Sequence, residues 1–316
     1  MYHFIVNPVS RSGQGKKYWK RVQALLEEKK LSYTVSFSER EGHTRELVDA
    51  LCREHEGEGL QVVVLGGDGT VNEAVQGIRD FSHFTLSYIP TGSSNDLARD
   101  LGISKDPVQA LEGILGRKHD CYLDVGLLHY EKAYLDGKEI TAEDRRFMVG
   151  CGFGFDAAVC EESARSKIKE VLNRIGLGKL TYVGIALKQL LKTAFVTGRI
   201  WIDGELFGEF PGVVLIAVMI HRYEGGGFMF CPNASAQDGL LDLCMASGVS
   251  KPKILRILPT AYKGNHLRFK GVRSARGRQF RIETDIPLWV QTDGEAKAMA
   301  KAITLSGMEE RIHMIY

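Results

Sequence analysis

The run QVVVLGGDGTVNEAV, residues 61–75, has fewer ways to fold than any other part of this chain. Its first half is apolar at successive positions, which suits a strand buried on both faces. Three glycines in four positions follow, Gly66, Gly67 and Gly69, with Asp68 among them, and then VNEAVQGI at helical spacing. Missing Cβ atoms let backbone N–H groups approach a bulky anion, and a helix beginning near Thr70 adds the positive end of its dipole. Such a turn suits a polyphosphate. An acid beside phosphate is repulsive unless a divalent cation or a transferable proton lies between, which makes Asp68 a chemical candidate. Taken alone, GGDG is equally a tight turn with an exposed acid.

The neighbouring segments repeat the pattern. HFIV (3–6), YTVSFS (33–38), LQVVVL (60–65) and FTLSYIP (84–90) are strand candidates. They alternate with amphipathic stretches at 15–30, 43–55, 70–79, 94–102 and 106–116. Strands and helices alternating over short connections indicate a parallel sheet, and such sheets bind ligands at the carboxyl ends of their strands. NPVSRSGQG, GGDGT and TGSSND all fall there. Ser94 or Asn95 also suits a helix cap, a role compatible with ligand contact. From about residue 121 the chain changes to strand-like runs joined by Gly, Asp and Pro turns, with helical signals only at 158–195 and 250–264. An antiparallel sandwich is the expected second domain, and 316 residues suffice for two cores.

Composition excludes several classes. The net charge of +2 leaves any electrostatic attraction to local patches. Six cysteines without a CxxC pair, and an N-terminus too short and polar for a leader, indicate reduced thiols in a cytoplasmic protein. No apolar run approaches the ~20 residues of a membrane helix. HExxH, Gly-x-Ser-x-Gly and Walker A patterns are all missing from the sequence.

Read in order, GGDGTVNEAV, PTGSSNDLARDLG, LDVG, GFGFDA, DGLLDL and TDGE resemble the soluble diacylglycerol kinase catalytic family. That family includes bacterial lipid kinases and relatives of sphingosine and ceramide kinases, and the resemblance runs from residue 4 to about 300. It implies an α/β fold in two parts. The first is a doubly wound, NAD-kinase/phosphofructokinase-like nucleotide-binding domain over 1–125, and the second an antiparallel β-sandwich lipid-substrate domain over 126–302. The tail, 303–316, is a strand for either, and ATP would lie in the cleft between the domains.

Carried over by position, the resemblance implies nucleotide contacts from Asn7, Ser10, Ser38, Gly66, Gly67, Asp68, Gly69, Thr70, Asn72, Glu73, Ser93 and Asn95. Asp68 would organise Mg2+ through water, in a charge network with Asp96, Arg99 and Asp124. Glu295 would accept the proton of the attacking hydroxyl, and Asp238, Leu240 and Ser235 would hold a structural magnesium. NPVSRSG inserts residues into the family's usual Asn-Pro-x-Ser-Gly turn, and Val149 stands where relatives carry Asn. The implied activity is ATP- and Mg2+-dependent phosphorylation of a lipid hydroxyl, diacylglycerol first among them. An NAD kinase-like enzyme and a catalytically silent lipid-binding protein are the alternatives.

Between Lys251 and Ile282 stand ten Lys/Arg and no Asp or Glu, mixed with Ile, Leu, Tyr and Phe. Such a surface would suit an anionic membrane, making the protein peripheral, or it is a solvated face whose cations balance acids elsewhere. No nucleic-acid motif accompanies the charge. An exposed sandwich edge could pair two subunits into a homodimer.

Overall fold

The Val-rich strand at residues 60–66 sits at the centre of a parallel sheet. The computed structural model describes residues 1–165 and 178–316. These divide into two units, one of residues 1–125 with 308–316, the other of residues 126–307. The expected second domain ends at 302, whereas its last strand continues to Gly307 before the chain returns to the first unit.

In the first unit β1 (Tyr2–Val6), β2 (Tyr33–Phe37), β3 (Leu60–Gly66) and β4 (Phe84–Pro90) are parallel. The terminal strand Ile312–Ile315 lies parallel to β4, and β5 (Asp120–Leu123) closes that edge antiparallel to it. The terminal strand is the last of sixteen among the described residues, β16, and the order across the sheet is β2-β1-β3-β4-β16-β5. The chain steps outward from β1 to β2 and then crosses back to β3, so the topological switch lies between β1 and β3.

The helices follow from apolar spacing. After a short turn of helix, α1 (Ser10–Gly13), α2 (Gly15–Glu28) buries Trp19, Val22 and Leu26, one stripe of a 3.6-residue period. That stripe packs with Leu111 and Ile114 over Phe4, Val63 and Leu65. The remaining helices are α3 (His43–Glu54), α4 (Asp68–Gly77), α5 (Asp96–Leu101) and α6 (Pro107–Leu115). Asp106 caps α6 by accepting N–H bonds from Val108 and Gln109 at 2.9 and 3.2 Å. α4 begins at Asp68, two residues before the expected start, so the acid occupies the first turn of the helix.

The second unit is antiparallel throughout. Its strands are β6 (Gly126–Leu135), β7 (Lys138–Ile140), β8 (Arg145–Phe147), β9 (Gly150–Gly154), β10 (Val196–Ile202), β11 (Glu205–Met219), β12 (Leu241–Ser247), β13 (Val272–Gly277), β14 (Gln279–Thr292) and β15 (Glu295–Gly307). The long β11 and β14 hold β10 between their first halves and β9 between their second halves, with register shifts where they bend. Helices α7 (Phe155–Arg165), α8 (Gly178–Lys192) and α9 (Lys251–Ile257) pack together through Phe155, Val159, Ile185, Leu190, Ile254 and Ile257. Most of the basic stretch at 164–180 lies outside the described residues. Among the described residues no helix is long and apolar enough to cross a membrane.

Leu65 is fully buried under α2 and α6. Leu65→Ala is expected to destabilise the first unit by about 3 kcal/mol through lost burial and a residual cavity, read as a lower urea midpoint.

Candidate active site

Three turns leave the carboxyl ends of β1, β3 and β4 and meet. Asn7 Nδ2 donates to Thr70 Oγ1 at 3.1 Å, and the Ser10 and Thr91 hydroxyls lie 2.8 Å apart. Thr91 N–H donates to the Gly66 carbonyl at 2.7 Å. A Cβ on Gly92 would stand 2.5 Å from Gly67 Cα and 2.6 Å from Asn95 Oδ1. Glycine at both positions is therefore what lets the second and third turns touch, a packing reason that single-turn reasoning does not supply.

Asp68 ties those two turns together. Its Oδ2 accepts from Asp96 N–H at 3.1 Å and its Oδ1 from Leu97 N–H at 3.4 Å. The carboxylate thus satisfies amides in the first turn of α5, which have no intrahelical acceptor. The residue is half-buried. Asn95 adopts φ +51, accepts from Gly92 N–H and Tyr88 OH at 2.9 and 3.1 Å, and donates to the Gly92 carbonyl at 3.0 Å. Burial, followed by the charges of Asp68 and Asp96, pushes the Tyr88 phenol up, so it stays a donor. Asp96 is buried, with Arg99 Nε 3.6 Å from its Oδ1. Ser38 closes β2 through its own amide, bonded to the Val6 carbonyl at 2.9 Å, while Ser93 is exposed on the third turn. Gly69 and Thr70 supply first-turn amides of α4, which also lack intrahelical acceptors.

Three expected site residues are placed elsewhere. Asn72 is fully buried and braces Gln76 at 3.3 Å. Glu73 accepts Gly42 and Thr44 N–H groups at 2.8 and 3.1 Å, holding the start of α3. Only the first turn of α4 is open to the strand ends; beyond it the side chains face neighbouring elements. Asp124 does not join Asp68, Asp96 and Arg99. β5 runs antiparallel, so Asp124 follows Leu123 at the level of Ile312, beside the beginning of β4, and Arg311 Nε is 2.8 Å from its Oδ1. Asp68 and Asp96 lie past the other ends of the strands.

In the second unit the TDGE turn is built around Asp293, whose carboxylate accepts from Met148, Val149 and Gly150 N–H at 2.8, 2.8 and 3.0 Å. Val149, the departure from the family pattern, makes this bond with its backbone. Glu295 opens β15 with its carboxylate 2.9 Å from Arg145 Nη2, and Lys297 Nζ is 3.6 Å away. Arg145 Nε in turn donates to Thr292 Oγ1 at 3.1 Å. Beneath the turn lies a cluster that motif reading missed. Gln291 accepts from Gly294 N–H at 2.7 Å and donates to Asp156 Oδ2 at 3.2 Å and to Glu224 Oε1. A Cβ on Gly152 would clash with Asp156 Oδ2, so GxGFD is glycine-rich here to admit the acid. Burial raises Asp156 to about 6, and burial with the charges of Asp156, Glu224 and Asp293 pushes the Cys151 thiol up.

Against known proteins, residues 1–126 match the diacylglycerol kinase catalytic domain and residues 150–306 the YegS C-terminal NAD kinase beta sandwich-like domain. The chain belongs to the diacylglycerol kinase catalytic-domain family. By class it is a lipid kinase. It is 29% identical over 225 residues to a diacylglycerol kinase of Mycobacterium tuberculosis, covering 70% of this chain and 66% of that one. It is 26% identical over 295 residues to a diacylglycerol kinase of Staphylococcus aureus, covering 92% and 84%. A solved diacylglycerol kinase structure from Bacillus anthracis superposes with a TM-score of 0.67 at 19% identity, over 100% of this chain and 96% of that one.

The two metal expectations fare differently. Asp68, a half-exposed carboxylate at the strand ends, is of the donor type that could hold a metal-bound water. The structural site fits poorly. Asp238 Oδ1 is engaged by Leu240 N–H at 3.0 Å, its Oδ2 faces the Arg276 guanidinium at 3.5 Å, and Ser235 is exposed.

Asp156 supplies a pH test. Its folded-state pKa lies above the ordinary carboxyl value, so the native state binds the extra proton and stability falls as pH rises from about 4 through about 6. Asp156→Asn is expected to be stabilised relative to wild type by up to about 3 kcal/mol at pH 8 and by little at pH 4. Denaturant melts at the two pH values check this, and a gain that grows toward low pH would contradict it.

Proposed function

We propose that the protein transfers the γ-phosphoryl group of ATP, taken as its magnesium complex, to a lipid hydroxyl, diacylglycerol being the acceptor that fits best. The observation that carries this reading is the convergence of the Asn7–Ser10, Gly66–Thr70 and Thr91–Asp96 turns at the carboxyl ends of three parallel strands. Their hydroxyls and the first-turn amides of α4 form a lining suited to phosphate oxygens. Asp68 would hold a water of the metal ion, which would supply charge neutralisation at the phosphates, while its bonds to the Asp96 and Leu97 amides keep the second and third turns together. In the reaction the acceptor oxygen bonds to the γ-phosphorus, the bond to the β–γ bridging oxygen breaks, and ADP leaves. Glu295, oriented by Arg145, is the proposed acceptor of the hydroxyl proton.

An archaeal NAD kinase solved with ATP, from Archaeoglobus fulgidus, has the same fold at a TM-score of 0.52 and 11% identity. Likeness of fold alone does not choose the acceptor. Purified protein with labelled ATP and a panel of diacylglycerol, sphingosine, undecaprenol, phosphatidylglycerol and NAD in mixed micelles decides it. Label in phosphatidate is the expected outcome, and label only in the NAD product rejects the lipid reading. Asp68→Asn and Glu295→Gln are each expected to lower kcat by about a hundredfold or more. Full activity in either removes that residue from the mechanism.

The basic segment supports a peripheral membrane reading only over part of its length. Arg276 and Arg281 lie on the sheet paired with Asp242 and Glu131, as the solvated-face alternative expects. Lys251, Lys253 and Arg256 lie instead on α9, near exposed Leu191, Phe195 and Leu255. Lys251 Nζ reaches the Leu191 carbonyl at 2.5 Å and lies 5.7 Å from the Phe195 ring centre. Cations flanking apolar side chains suit an anionic bilayer. Sedimentation with phosphatidylglycerol vesicles is expected to weaken with added salt and with Lys251→Glu/Lys253→Glu. Indifference to both contradicts the docking.

A further inference from the structure

The loop before β12 is where the family resemblance implies a structural magnesium, and in this chain a cation is already built into it. Arg276 on β13 is the register partner of Asp242 on β12. Its Nε lies 3.2 Å from both Asp242 oxygens. Its Nη2 donates to the Asn233 carbonyl at 2.6 Å, and its Nη1 stands 3.5 Å from Asp238 Oδ2. Every nitrogen of the guanidinium thus lies within 3.5 Å of an oxygen of one ten-residue segment, Asn233 to Asp242, which runs from the loop into β12. The other Asp238 oxygen is engaged by Leu240 N–H across Gly239, which has φ +71.

A divalent ion ligated by Asp238 would share an oxygen with this guanidinium and stand beside a fixed positive charge, which repels it. A planar fork that stays charged at every accessible pH can bridge several oxygens, as a bound metal would, and needs no site to be filled. The Asp242 side chain is only 13% exposed, and burial pushes its carboxyl up, an effect its hydrogen bond from Arg276 only partly offsets.

We propose that Arg276 takes the place of the structural metal, tying Asn233, Asp238 and Asp242 into one closed loop that folds without a divalent cation. The sequence carries the signal only in hindsight, since Arg276 lies thirty-eight residues beyond Asp238 and strand pairing alone brings them together.

Thermal unfolding of the full, nucleotide-free chain in EDTA and in millimolar MgCl2 tests this. Wild type is expected to melt at the same temperature in both, and Arg276→Gln to melt about 3 °C lower or more. If Arg276→Gln does not fold, Arg276→Lys makes the same comparison, because an ammonium cannot span the three acceptors. A magnesium-dependent rise in wild type that Asp238→Asn abolishes would show a metal at this loop and overturn the proposal. A rise that Asp238→Asn leaves intact arises elsewhere and agrees with it. Substitution of Arg276 without loss of melting temperature would also overturn it, since the guanidinium would then hold nothing together.

Discussion

The first unit depends on one carboxylate. Asp68 reaches from the turn after β3 to the amides that open α5, and the two turns can be that close only because Gly67 and Gly92 have no side chains. Charge-assisted bonds to first-turn amides are worth more than neutral ones and cost little reorganisation once formed. The same group that stabilises the turns is only half-buried at the strand ends. Under the proposed mechanism structure and chemistry share this residue, and the close approach of Gly67 to Gly92 leaves no room for a side chain beside it.

A parallel logic operates in the second unit. Asp293 satisfies three consecutive amides, and Gln291 links the TDGE turn to two buried acids. By bonding Asp156, Glu224 and the Gly294 amide at once, Gln291 fixes the turn from which Glu295 follows. The Arg145 guanidinium then orients the Glu295 carboxylate.

Much of this was legible in the order of residues. The parallel α/β character of the first unit followed from alternating periodicities, because each strand and helix reports its burial locally; the doubly wound fold came from the family resemblance. The three turns were legible as a group because parallel strands must end on one edge. What periodicity could not convey was direction and partner. Asp124 closes LDVG, but β5 runs against its neighbours and carries the acid to the opposite edge. Asn72 and Glu73 belong to the same motif as Asp68, yet one lies buried and the other holds α3, because a helix turns each successive side chain by about 100°. The ten-cation segment read as one surface, whereas strand register spends two of its arginines on acids from β6 and β12.

By itself, the sequence determined the two fold classes, the phosphate-suited turns at the strand ends and the carboxylates available for chemistry, since these rest on local spacing and on residue type. Only the tertiary structure decided which of those carboxylates stand at the strand ends, which are held by backbone amides, and which cation closes the loop before β12. Those outcomes hang on contacts between residues far apart in the chain, such as Asp242 with Arg276 and Gln291 with Asp156 and Glu224, and such contacts exist only after the sheet has chosen its register.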